Sequence, residues 1–328
     1  AFVLQNETED PAADVTVHSS HGDYLFVRDF FHGDRPKPGL KYQLIDINKP
    51  VTLTGELVPE GSLETRIVGH AFGSDDSYLW GTLLINAQGV TVQYLRMENL
   101  GHSVWALHPG FAIEGCEFFQ CTWCGYLVPD TGYVYADPSN PVRSYYRGNI
   151  LDDCVGGPHL VGSEIELSGN SLHLSGSGNG IAIVSWGEVT TVPVDFTLVQ
   201  NNLLENNEIN IPNGWAAITM RNDIRWGANR GGSIKNNIIR DNLIGGAMRG
   251  FYARARYSPL GSDLTDKVVS GNYFYDTELP FLMECLNNAS LEGMTINRNQ
   301  ITGPCWMPIG MWSVSNSLIV ENTLENVY

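Results

Sequence analysis

Ser233-Ile234-Lys235-Asn236-Asn237-Ile238-Ile239 and Val269-Ser270-Gly271-Asn272-Tyr273-Phe274 share one pattern: an apolar residue, two spacers, an asparagine, one spacer and a second apolar residue. The pattern returns downstream as Ile296-Asn299-Ile301 and Ile319-Asn322-Leu324, and upstream as Tyr146-Asn149-Leu151, Leu167-Asn170-Leu172 and Val199-Asn202-Leu204. Ile113-Cys116-Phe118 and Val92-Leu95-Met97 keep the apolar frame and replace the asparagine. Steps between units run from 21 residues (Asn149 to Asn170) to 35 (Asn202 to Asn237). A unit this short cannot bury its apolar face alone and does so by stacking on its neighbours, so each repeat is expected to be one coil of a solenoid. The longer steps, around Asn202 and Asn237, are expected to carry residues outside the stacked core. Asparagine tolerates the left-handed backbone of a tight corner and its amide can hydrogen-bond along a stack, which predicts an inward ladder of asparagines.

Working outward, Val51-Thr52-Leu53-Thr54 and Thr65-Arg66-Ile67-Val68 alternate as strands and read as entry coils. Residues 1–45 are expected to cap the first coil and residues 46–328 to form the solenoid, since an open solenoid end needs cover. The last unit stops at Tyr328 inside a coil, so a partner subunit or further chain is expected over that end. The resulting fold class is all-β, a right-handed parallel β-helix of about ten coils with an N-terminal cap.

The formal charge of −17 argues against non-specific attraction to nucleic acid or an anionic membrane surface. No apolar run is long enough to cross a membrane as a helix. Six cysteines are too scattered for a disulfide framework, and Cys121-Thr122-Trp123-Cys124 lacks the second pair of a zinc site, so buried thiols are expected. The histidines have no metal-ligand spacing; only His108 and His159 are kept as reserve bases. No metal site or cofactor is implied, with a role for Ca²⁺ left open.

The glycine-rich coils with their Asn-x-Ile/Leu step resemble the parallel β-helix repeat superfamily over about residues 85–328. That superfamily includes pectate and alginate lyases, mannuronan epimerases, polygalacturonases and phage tailspikes. The resemblance implies a habit of handling glycans rather than one reaction. Asp152-Asp153-Cys154 with Gly157-Pro158-His159 is a little like polygalacturonase segments, but His159 follows too soon and no Arg-Ile-Lys triplet appears downstream.

After each asparagine unit comes another strand, whose alternation assigns faces. Val104 and Ala106, Ile181 and Ile183, Ile218 and Met220, Phe251 and Ala253, Phe281 and Met283, and Ile309 and Met311 are expected to point inward. The intervening positions then project outward and place Arg221, Arg254 and Glu284 in one column on successive coils, with Asp223 and Arg256 beside it. Trp105, Tyr126, Trp186, Tyr252 and Trp312 share that face and could offer platforms to sugar rings. The simpler alternative is a surface ladder of ion pairs, worth about 0–1 kcal/mol each.

Three functions follow. The first is a secreted, extracellular or periplasmic enzyme acting on an acidic polysaccharide by β-elimination or C5 epimerisation. Arg221 and Arg256 would neutralise the uronate, Arg254 would be the base (the role of arginine in the β-helix lyases that the fold resembles), and Tyr252 the acid. The second is glycoside hydrolysis or transfer with Asp223 and Glu284 as the carboxylates, and Asp152 and Asp153 as an outside alternative. The third is a non-catalytic glycan-binding or tailspike-like protein. In each the partner is a polysaccharide or oligosaccharide, with homo-oligomerisation left open.

Overall fold

The computed structural model describes residues 15–18, 22–24, 45–55, 63, 65–68, 83–127, 142–185, 198–222, 233–255, 263–286 and 289–327. Among them every strand pairing is parallel. The chain visits three long sheets in turn: a first sheet of 11 strands, a second of 11 and a third of 10. One circuit runs through Ile238–Arg240 of the first sheet, Leu243–Gly245 of the second and Arg249–Ala255 of the third. The next coil repeats it one layer on, with Ile239 in register with Val269, Ile244 with Phe274 and Phe251 with Phe281. This is a parallel β-helix, and the expected repeat is its coil. Much of the segment expected to form the cap lies outside the described residues, but Val15–His18 and Gly22–Tyr24 within it already stack on Val51–Thr54 and Thr65–Val68.

The coil interior is a continuous apolar core, in which Val104, Ala106, Ile181, Ile183, Ile218, Met220, Phe251, Ala253, Phe281 and Met283 are all fully buried, as their alternation predicts. At the final coil Ile319 and Leu324, which occupy the same interior frame, are 41% and 51% exposed.

The asparagine ladder is present, but it is two ladders. The long one climbs through Asn149, Asn170, Asn207, Asn242, Asn272, Asn299 and Asn322, at the corner between the first and second sheets. In each step the amide oxygen of one asparagine accepts from the backbone N–H and the amide of the asparagine one coil earlier, as Asn242 does from Asn207 at 3.0 and 2.9 Å. Asn202 and Asn237, expected in this frame, instead occupy the preceding corner, where the Asn202 N–H donates to Asn237 Oδ1 at 3.1 Å. They follow the strands Leu198–Gln200 and Ser233–Lys235 of a fourth, 4-stranded sheet. Val199, Ile234 and Leu264 of that sheet are fully buried. Part of the extra length of these coils therefore widens the core by a fourth side, where the sequence suggested insertions outside it.

Nor is the ladder asparagine the left-handed residue. Positive φ falls one position earlier, at Gly148, Gly169, Asn206, Asp241, Gly271, Arg298 and Glu321. The turn residue reverses the chain and the following amide is delivered inward. Cys116 stands in for asparagine: its N–H donates to Asn149 Oδ1 at 2.9 Å and its thiol to the Val92 carbonyl at 3.7 Å. Cys121 and Cys154 repeat this geometry at the next corner, the Cys121 N–H donating to Cys154 Sγ at 3.4 Å and that thiol to the Phe118 carbonyl at 3.3 Å. All six cysteines are free thiols, five of them buried.

Candidate functional site

The third sheet broadens to seven-residue strands in its later coils, Asn179–Ser185, Ala216–Asn222, Arg249–Ala255 and Leu279–Cys285. Its outer face carries two parallel rows. In one, Val184, Arg221, Arg254, Glu284 and Trp312 are consecutive register partners, so the expected column exists. In the other, Trp105, Tyr126, His159, Ala182, Thr219, Tyr252, Leu282 and Gly310 follow one another.

Glu284 is the one carboxylate of the first row. Its Oε2 accepts a hydrogen bond from the Tyr252 hydroxyl at 2.8 Å and lies 3.5 Å from Arg254 Nε, with both charged side chains about one quarter exposed (24% for Arg254, 25% for Glu284). Burial first, and then the hydrogen bond to Glu284, push the Tyr252 phenol well above the usual tyrosine range. At neutral pH Tyr252 is a proton-bearing donor. Trp312, next in the row, is 49% exposed and is open to a ligand.

Much of the face is not bare surface. Tyr252 is 2% exposed, with Trp215 and Met307 packed in its cluster, Ala182 is sealed in a second cluster with Trp105, Leu107 and Trp123, and Thr219 is fully buried too. Parallel sheets are in general covered on both faces, and outward does not mean exposed. The sequence expectation needs correcting for Tyr126: it is 7% exposed, with its ring 4.8 Å from His102, 4.9 Å from His159 and 6.1 Å from Trp105. That aromatic group is a packing cluster, and Tyr126 is no open platform. Trp105 is half-buried in the same cluster. His159 belongs there too, while His108 is half-buried outside both rows.

One candidate side chain escaped the sequence. Arg249 opens its strand, and alternation assigns it the inward parity of Phe251. At the corner its guanidinium instead lies 4.6 Å from the Trp215 ring and 5.3 Å from that of Tyr252, and donates to the Trp215 carbonyl at 3.4 Å. Trp215 and Tyr252 meet edge to face at 4.6 Å and 84°. Asp223, Arg256 and Trp186 lie outside the described residues.

Asp152 and Asp153 belong to a different face. Asp152 lines a shallow groove of about 200 Å³ on the second sheet, together with Arg96, Glu117, Phe118, Phe119 and Ile150. The Arg96 guanidinium is bound to Glu98 and Glu117 there. Asp153 accepts from Gln120 at 3.0 Å, and hydrogen bonds from Ser175 and Gln120 hold its carboxyl below the usual range. Among the described residues no group of three metal-ligating side chains is placed to hold an ion, and no helix is long and apolar enough to cross a membrane.

No family model and no curated protein matches this sequence. Solved structures do match. A tailspike protein mutant of E. coli bacteriophage HK620, in complex with a pentasaccharide, superposes with a TM-score of 0.61 at 14% identity over 90% of this chain and 50% of the tailspike. The tailspike itself, also with pentasaccharide, gives 0.58 over 95% of this chain and 58% of its own. Endopolygalacturonase I from Stereum purpureum, complexed with two galacturonates, gives 0.54 at 11% identity over 95% of each chain. The present chain thus spans about half the length of the tailspikes. What such distant likenesses show is the architecture, and in architecture this chain is a right-handed parallel β-helix.

Proposed function

We propose that the outer face of the third sheet belongs to a secreted enzyme that hydrolyses an acidic polysaccharide, with Glu284 as the acting carboxylate. The observation that carries this reading is the placement of Glu284 between the Tyr252 hydroxyl at 2.8 Å and Arg254 at 3.5 Å, in a row that ends on the exposed Trp312. Tyr252 and Arg254 fix the carboxylate's orientation. Arg254 beside it and Arg221 one coil beyond Arg254 supply positive charge in an otherwise acidic protein. Trp312 offers its indole face to a sugar ring one coil away. Asp223, two residues beyond Arg221 in sequence, is the proposed second carboxylate that glycoside hydrolysis requires. The pentasaccharide and galacturonate named with the solved β-helix proteins support a glycan as the ligand.

β-Elimination is the second reading, and the protonated Tyr252 favours it as the acid. An arginine base is chemically awkward in itself, because a guanidinium cation is a very weak base. Incubation with polygalacturonate, alginate and neutral glycans separates the readings. New reducing ends without ultraviolet absorbance are expected, and they should fall about 10²–10⁴-fold in Glu284→Gln, the usual contribution of a positioned acid or base. Unsaturated products would assign elimination instead. Intact polymer with every glycan would refute both enzymatic readings.

A further inference from the structure

Arg147, Arg240, Arg254 and Arg298 each lie within 3.5 Å of a glutamate oxygen. Arg249 has no carboxylate within 4.0 Å among the described residues. Its protein contacts are the Trp215 carbonyl, the Met248 sulfur at 3.0 Å and the two aromatic rings. Both hydrogen bonds come from one terminal nitrogen, Nη1, and Nε is buried without a hydrogen-bond partner. The cation is therefore fixed in position by stacking, yet most of its donor fork is unused. In a protein of net charge −17 an anion from the protein would be easy to supply. With none among the described residues, the fork suits a ligand carboxylate, since guanidinium donors match one in two parallel hydrogen bonds.

The same guanidinium touches the ring of Tyr252, whose hydroxyl holds Glu284. Arg249 and Glu284 thus both contact one phenol, the first at its ring and the second at its hydroxyl. We infer that Arg249 is the specificity-determining residue of this face and receives the carboxylate of a uronic acid unit adjoining the one acted on at Glu284. This inference rests on the proposed glycan-processing role of the face. It assigns the recognition of charge to a residue separate from the Arg221 and Arg254 row.

The test is titration calorimetry with oligogalacturonate, oligomannuronate and oligoglucuronate, each paired with its carboxyl-reduced neutral counterpart. The wild-type protein should bind the charged member of at least one pair about 10- to 100-fold more tightly, as one charge-assisted recognition supplies. Arg249→Gln should erase that preference while binding the neutral member as before. Arg249→Lys keeps the charge and the aromatic contact but not the fork, and should retain only part of it. Arg240→Gln, which removes a cation from the first sheet, should leave the preference intact and so controls for net charge. Preference undiminished in Arg249→Gln, or equal wild-type affinity for both members of every pair, would overturn the inference alone. Failure to bind any pair would overturn the glycan reading with it.

Discussion

Replacing Asn242 by alanine tests the ladder at its middle. The amide oxygen accepts from the Asn207 N–H at 3.0 Å and from Asn207 Nδ2 at 2.9 Å, while Nδ2 donates to the Leu204 carbonyl at 3.1 Å and to Asn272 Oδ1 at 2.9 Å. Asn242 is 1% exposed, so no water replaces these bonds. Asn272 Oδ1 keeps the Asn242 backbone N–H as a donor at 3.0 Å. The Asn207 N–H and the Leu204 carbonyl lose a partner, and one Asn207 amide hydrogen does too. An unsatisfied buried group costs about 1–3 kcal/mol, and with partial relaxation the loss comes to about 3–6 kcal/mol. For a domain of this size that is a fall in Tm of about 4–9 °C. Asn322→Ala removes the corresponding bonds at the last coil, where the side chain is partly open to solvent and water can substitute. It should cost about 1 kcal/mol or less. Thermal melts followed by circular dichroism at fixed scan rate compare the two. Equal shifts for both variants would refute the argument that burial sets the ladder's value.

Other substitutions probe the site and the packing. Tyr252→Phe removes a hydrogen bond to a charged acceptor and should lower turnover about 10- to 100-fold, read as kcat on the preferred glycan; unchanged kcat would release Tyr252 from the mechanism. Gly157→Ala would place a methyl group 1.8 Å from the Gly180 carbonyl of the next coil, and the backbone shift should cost at least about 1–3 kcal/mol in a melt. Burial pushes the Cys116 thiol from 9.0 up to about 12 and holds Tyr252 above its ordinary range. The folded state then keeps protons that the unfolded chain gives up, so stability is full below about pH 9 and declines as the pH rises from there toward 12. Cys116→Ala should flatten the slope of Tm against pH in that window, and an unchanged slope would count against the thiol's contribution.

The sequence made the coil and the faces of the third sheet legible because one strand per coil is pinned by two apolar residues at alternate positions. Once Phe251 and Ala253 face in, Tyr252 and Arg254 have nowhere to go but out. Corner identity was less legible. Val199-Asn202-Leu204 and Leu204-Asn207-Ile209 are the same pattern five residues apart, at two consecutive corners of one coil, and nothing local distinguishes them. Partner contacts one coil away make the choice. The cover over Tyr126 and Tyr252 was hidden for a similar reason, since Trp123, Trp215 and Met307 belong to segments flanking the strands and carry no periodic signal. Arg249 was lost because strict alternation fails at a strand's first residue, where the backbone is still turning. A signal existed in Trp215, which immediately precedes the strand Ala216–Asn222 one coil earlier with an aromatic wide enough to stack on.

The buried corner thiols of the early coils give this molecule an internal reporter. Cys116, Cys121 and Cys154 are fully buried with their protons committed to carbonyl groups, so a disulfide exchange reagent can reach them only when a coil separates from its neighbour. Their labelling rates, set against those of unfolded chain, convert directly into the free energy of that local separation. Cys305, in a late coil, samples the opposite end with the same chemistry. A profile of opening along the solenoid axis can thus be recorded on the unaltered protein, one sulfur at a time.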